Sequence, residues 1–195
     1  MAETKIKRGV ASLIRRPVLA GALIAAGAAT SGTALAVDDI FLKLDGITGE
    51  SQDAKHKSEI EILAYSQLFS NNGASRAFGG GGGAGRVTCG DITVQKTVDS
   101  STPNLIHSVT TGQHIAKGVL TFRKAGEIPL EYFVVTLTDV LVDSIQQSDA
   151  LPDKILEKVT LNAAKFDFKY RTQNADGTLG ATQEYGYDCR LQKAF

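Results

Sequence analysis

The chain is short of the residues that announce chemistry. Its 195 residues include no tryptophan, 7% aromatics, three histidines and two cysteines. His56, His107 and His114 follow no ligand spacing such as His-x-x-x-His, and no cysteine pair stands beside them, so no metal site is expected. No Gly-x-Ser-x-Gly elbow occurs, and no Cys–His pairing has a catalytic context. Glu59 and Glu61 fall on the polar face of a strand pattern, where solvation accounts for them. These absences leave no residue for a catalytic role and no fingerprint for a cofactor.

An excess of one charge is also missing overall. The 21 basic and 21 acidic residues cancel, but the first 36 residues hold five of the bases and only one acid. The remaining body is therefore mildly acidic, with no basic stripe to neutralise phosphates, and a nucleic-acid partner is not expected. Nor is there an apolar run of the ~20 residues that a membrane-spanning helix needs.

What is present begins with an address. Lys5, Lys7, Arg8, Arg15 and Arg16 precede a short apolar run from Val18 to Ala29, and Ala34-Leu35-Ala36 closes the segment. Basic, apolar and small-residue parts in this order predict a secretory signal peptide over residues 1–36, cleaved after Ala36. The Arg15-Arg16 pair leaves twin-arginine export open beside the general route. Once the leader is removed, no stable membrane insertion is expected.

From residue 37 onward, twenty glycines in the chain and repeated alternation suit a turn-rich β-protein. Strand patterns run from Ile40 to Leu44, Ser58 to Leu68, Asp91 to Lys96, Val119 to Arg123, Tyr132 to Val142, Ile155 to Tyr170 and Thr182 to Gln192. In the Ile155 segment the apolar phase switches, from Val159, Leu161 and Ala163 to Ala164, Phe166 and Phe168; a β-bulge near Ala163 is expected. Asn174 to Gly177 predicts a turn, with Gly177 free to take positive φ. Ser101-Thr102-Pro103, then Leu105, Ile106, Val109 and Gly112, predict one short helix with a hydroxyl cap at its start and glycine at its end. Many short strands and one helix predict a mainly β fold, a small β-barrel of two antiparallel sheets occupying residues 37–195.

The run Gly79, Gly80, Gly81, Gly82, Gly83, Ala84, Gly85 lacks the Lys-Ser/Thr ending of a phosphate loop and leads into a strand. A flexible exposed loop is expected there. Cys89 and Cys189, an even pair in an exported chain, predict a disulfide; the alternative is two buried thiols that never meet. On loop-closure entropy alone such a bridge would stabilise the fold by roughly 4–5 kcal/mol, less any strain.

These segments carry a resemblance. Phe41-Leu42-Lys43-Leu44-Asp45-Gly46-Ile47-Thr48-Gly49-Glu50-Ser51 and His56-Lys57-Ser58-Glu59-Ile60-Glu61-Ile62 resemble the opening strands of the Hcp (haemolysin-coregulated protein) family. Ser101 to Leu105, Thr111 to His114, Arg123 to Gly126, Glu157 to Asn162, Ala175 to Gly177 and Tyr185 to Tyr187 are similar to later family segments in the same order. The resemblance implies a barrel that assembles as a hexameric ring, with rings stacked into the inner tube of the type VI secretion system. It implies three kinds of partner: further copies of the chain, a spike protein of the valine-glycine repeat family, and small protein effectors carried in the lumen. Gly79 to Gly85 would then be the ring-stacking loop, and Ser66 a lumen residue touching clients. Parity alone places Ser66 in phase with Ile60 and Ile62, facing inward unless the strand twists after Leu63.

Two features depart from the family pattern: the leader, and cysteines where aliphatic residues are the rule. An exported, bridged variant accounts for both, with the protein secreted through the periplasm. Alternatively, Leu35-Ala36-Val37-Asp38 resembles the family's Met-Ala-Val-Asp start, so initiation at Leu35 would give an ordinary cytoplasmic subunit. A further alternative is an exported binding or adhesion module that has left the secretion machine.

Overall fold

The computed structural model describes residues 38–71, 87–126, 129–151 and 153–195, and among these the alternating segments form nine strands, every pairing antiparallel. In chain order they are β1 (Asp39–Leu44), β2 (Ile60–Ile62), β3 (Ala64–Asn71), β4 (Val87–Thr97), the helix α1 (Thr102–Thr111), β5 (His114–Lys124), β6 (Leu130–Leu151), β7 (Lys154–Gln173), β8 (Leu179–Asp188) and β9 (Lys193–Ala194). The leader expected over residues 1–36 and the glycine strip Gly79 to Gly85 lie outside the described residues.

The strands follow the order β2-β1-β5-β6-β7-β4-β3, with β8 added to β7 and β9 to β8. The two ends of that path are halves of one segment. β2 pairs with β1, β3 pairs with β4, and Leu63 alone separates them, its N–H donating to the Gln95 carbonyl at 2.7 Å. The path therefore returns on itself, which removes most free strand edges. The expected two sheets are one hydrogen-bonded sheet. β6 and β7, 22 and 20 residues long, are long enough to pair with different neighbours along their length. β7 pairs with β4 through Leu156–Leu161 and with β8 from Lys165 onward.

Inside lie the aliphatic residues of alternate positions: Leu42, Leu44, Ile60, Ile92, Val94, Leu120, Leu137, Val159 and Leu161 are all buried. The expected phase switch in β7 is present, since Val159, Leu161 and Ala163 and then Ala164 and Phe166 are buried. Its cause is not a bulge at Ala163. The β6–β7 register runs unchanged from Phe133↔Tyr170 to Val142↔Leu161, because β6 switches phase opposite the same place. Val135 and Leu137 point inward before it, Val140 and Val142 after it, and between them Asp139 takes the left-handed conformation, φ 56°. Two compensating switches bend the pair and keep the ladder in step.

Aromatic rings of β3 pack against those of β5 and β7, with Phe69 itself 39% exposed. The Tyr65 ring meets Phe122 edge-on at 5.0 Å, and Phe69 meets Phe166 and Phe168 at 5.3 and 5.7 Å. Burial pushes the Tyr65 hydroxyl up to about 12, and that hydroxyl donates to Gln67.

The helix starts and stops near the expected positions, with Pro103 in its first turn and Gly112 at φ 65°. The expected hydroxyl cap is absent. Ser101 turns its Oγ to Asp99 instead, and Asp99 also accepts the Ser101 N–H. Gly177 has the expected positive φ, 84°. The last long strand is shorter than expected at its end: β8 stops at Asp188, whose Oδ1 accepts the N–H groups of Arg190 and Leu191 and so folds the chain into a turn. Cys189 thus lies in that turn and not in a strand.

Candidate functional site

Ser66 is exposed, which reverses the inward orientation that simple parity gives it. Leu63 is the reason. It breaks the strand, is 55% exposed, and resets the alternation, so that Ile60 and Ile62 point inward before it and Tyr65 after it. The register carries Ser66 outward into a row of hydroxyls: Ser66 pairs with Thr93, Thr93 with Thr160, and Thr160 with Ser144. Ala64, Gln95, Lys158 and Gln146 form the adjacent row. Ile92, Leu161 and Val142 lie buried behind this face. Four strands thus present a polar wall with little charge on it, backed by a dry core.

The predicted cysteine pair meets. Cys89 and Cys189 are joined in a disulfide, Cα atoms 6.2 Å apart across 100 residues of sequence. The bridge closes a gap in the wall. Among the described residues, β4 pairs with β7 only from Ile92 onward, and β7 turns to β8 at Lys165. Into the space beside Cys89 comes the turn after β8. Cys189 N–H donates to the Ala164 carbonyl at 2.9 Å, and the Gln192 side chain accepts the Val87 N–H at 3.1 Å.

A cluster not anticipated from sequence holds the opposite end of β4. Lys96 and Glu157, each 1% exposed, lie 2.7 Å apart, and Lys96 also reaches Asp99 at 2.8 Å. Thr102 and Gln147 donate to the Glu157 carboxylate, and the Lys96 ammonium donates to the Thr97 carbonyl. Burial would raise the Glu157 carboxyl, but the hydrogen bonds of Lys96, Gln147 and Thr102 and the Lys96 charge outweigh it and hold it below the usual range. A sequence signal existed: Lys96 is in phase with Ile92 and Val94, and Glu157 with Val159 and Leu161. Opposite charges on inward positions of two strands announce a buried pair.

Arg123 forms a third cluster. It lies over the Phe41 ring at 4.8 Å and is answered by Asp39 at 2.8 Å and Asp53 at 2.7 Å. Burial would lower the guanidinium, but these two carboxylates more than compensate and raise it. The cleft beside it, about 430 Å³, is lined by Asp38, Asp39, Asp53 and Glu61. Its one cation is already paired, so it offers no seat for an anion. His56 stacks on Phe41 at 4.2 Å with its Nδ1 2.9 Å from Glu59, while its buried Nε2 has no hydrogen-bond partner and lies 3.7 Å from Glu131. His114 lies 2.6 Å from Asp139 at the surface. Among the described residues no group of three potential ligands gathers to hold a metal, and no helix is long and apolar enough to cross a membrane.

Residues 41–170, the body of this barrel, match the family model described as "Type VI secretion system effector, Hcp". The chain belongs to the Hcp family. A curated relative, protein hcp1 of Pseudomonas aeruginosa, is 42% identical over 155 residues, which cover 78% of this chain and 95% of the relative. The crystal structure of Hcp1 from Salmonella typhimurium superposes with a TM-score of 0.67 at 32% identity, over 81% of this chain and 99% of that one. A structure titled as a type six secretion system protein shares the fold at TM-score 0.78 and 24% identity, over 82% of this chain and 100% of that one. Hcp membership makes this a type VI secretion tube and effector protein, of a family that forms hexameric rings and is secreted by that system.

Proposed function

We propose that this Hcp chain is a structural subunit: a barrel that closes into a ring of six, stacks on further rings into a tube, and performs no catalytic step. The observation that carries the reading is the outward row Ser66, Thr93, Thr160 and Ser144, together with the rigid aliphatic layer behind it. Hydroxyls with little charge suit the wall of a passage, since they bond weakly to any polar surface and hold none of them by charge. Ser66 stands at the β3 end of this wall, where small protein effectors would touch it. Gly79 to Gly85 serve as the stacking loop, because glycine lets backbone approach backbone closely. The spike protein of the valine-glycine repeat family would cap the stack.

Export by a cleavable leader over residues 1–36 completes the proposal, with the disulfide made in the oxidising compartment beyond. Light scattering of the mature protein should give about six times the monomer mass, the closed cyclic assembly of a head-to-tail interface. Electron microscopy should show rings, and deleting Gly79 to Gly85 should spare the rings and abolish tubes. A monomer at every concentration would reject the ring and favour an exported binding module, the reading that the leader and the bridge otherwise favour. Mass spectrometry of the exported protein should find Val37 at its start; cytoplasmic protein beginning at Leu35 would reject the leader.

A further inference from the structure

We propose that the Cys89–Cys189 bridge is a redox latch: it fastens the C-terminal tail and the entry of β4 to the barrel, and its reduction frees both while the barrel stays folded. The latch rests only on how the tail and the entry of β4 are held.

Three observations carry it. The first residues of β4 have β3 on one side, as Phe69↔Cys89, Ser70↔Thr88 and Asn71↔Val87, and no described strand on the other. That pairing is itself irregular, with a register shift between Gln67 and Phe69. The tail, in turn, has little apolar burial to hold it: Leu191 is 62% exposed and Phe195 66%. Its remaining attachments are solvent-facing: the Arg190–Asp139 ion pair, the Lys165 ammonium over the Phe195 ring at 5.9 Å, the short β8–β9 pairing and a few hydrogen bonds, chiefly Cys189 to Ala164, Gln192 to Val87 and Phe195 to Gly186. The core offers the contrast, since Ile92, Val94 and Leu161 are fully buried two or more rungs away. A segment held by one covalent bond and a few accessible hydrogen bonds opens locally when the bond is cut, whereas a segment held by the core opens only with the core.

Closing the latch removes two protons and two electrons from the two thiols. A thiol–disulfide oxidoreductase of the exporting compartment takes them up and leaves as its dithiol. In a reducing cytoplasm the latch stays open.

Hydrogen exchange on the purified protein tests this, comparing protein oxidised with glutathione disulfide and protein reduced with a phosphine. Amides of Val87, Cys189 and Phe195 should exchange roughly tenfold faster or more in the reduced form, as for local opening, while those of Ile92, Val94 and Leu161, which open only with the whole fold, stay protected over the same period. The double variant Cys89→Ser/Cys189→Ser should match the reduced form with or without reductant. Equal exchange at the tail in both forms would overturn the latch, and so would a core that loses its protection as fast as the tail.

Discussion

The two ends of β4 are fastened by opposite chemistry. At the Thr97 end, Lys96 sits among Glu157, Asp99 and Thr102 and ties the strand to β7 and to the start of α1 without a covalent bond. At the Val87 end, Cys89 ties the strand covalently to a turn that has little core of its own. The first end is dry and insensitive to redox state; the second is wet and redox-sensitive. Where apolar packing surrounds a strand, a fully satisfied polar cluster is enough to fix its end. Where packing runs out, a covalent bond replaces it.

Cutting the covalent end should have the largest effect. Loop-closure entropy puts its contribution at roughly 4–5 kcal/mol. At the few degrees per kcal/mol expected for a chain of this size, reduction should lower the melting temperature by on the order of 10 °C. The double variant Cys89→Ser/Cys189→Ser should melt at the reduced value and ignore reductant. Two freely alkylatable thiols in the native exported protein would erase the contrast between the ends.

Lys96→Met attacks the other end and takes the cation from the buried Glu157 and the half-buried Asp99. Breaking such a pair costs about 3–5 kcal/mol, read from urea unfolding, and the loss should be the same with and without reductant. Adding Glu157→Leu to Lys96→Met should recover much of it, because the remaining partner is no longer buried alone. A loss that vanishes on reduction would mean that the two ends are coupled.

Acid should act at both ends with the same sign and a smaller effect. The Glu157 carboxyl is held below its ordinary 4.5, so its contribution is complete above that pH and fades as pH falls through the depressed value. Asp188, held below 3.8 chiefly by the Leu191 N–H, behaves likewise at the tail turn. Glu157→Gln should therefore flatten the acid limb of stability against pH, and an unchanged limb would assign it to other carboxylates. The smallest effect belongs to Ser66→Gln in the wall between the two ends. An exposed position should shift stability by no more than about 0.5 kcal/mol. The variant should keep its ring and retain effectors less well, whereas loss of the fold would place Ser66 inside.

Period-two alternation made most strands legible in the sequence, and Pro103 and Gly112 bracketed the helix. The phase switch at Ala163 and Ala164 was legible too, but its mechanism was not. It takes both members of a pair to distinguish a bulge from a matched bend, and Val135, Leu137, Val140 and Val142 carry the other half of the signal. Phase alone turns Ser66 inward because Leu63 is an ordinary strand residue, with neither proline nor glycine to mark the break that turns it out. Cys189 was placed in a strand because nothing before the fold shows Asp188 capturing two backbone N–H groups. The buried Lys96–Glu157 pair needed partners 61 residues apart, and only their inward phase hinted at it.

Along a strand, one residue gained or lost turns every later side chain to the opposite face. At Leu63 that rule is suspended. The residues before it keep time with β1 and those after it with β4, so an extra residue inserted there lengthens the break and leaves both registers in place. The seam that closes this barrel is therefore also a site where its wall tolerates a change of length, and a lineage could vary there without turning its core inside out.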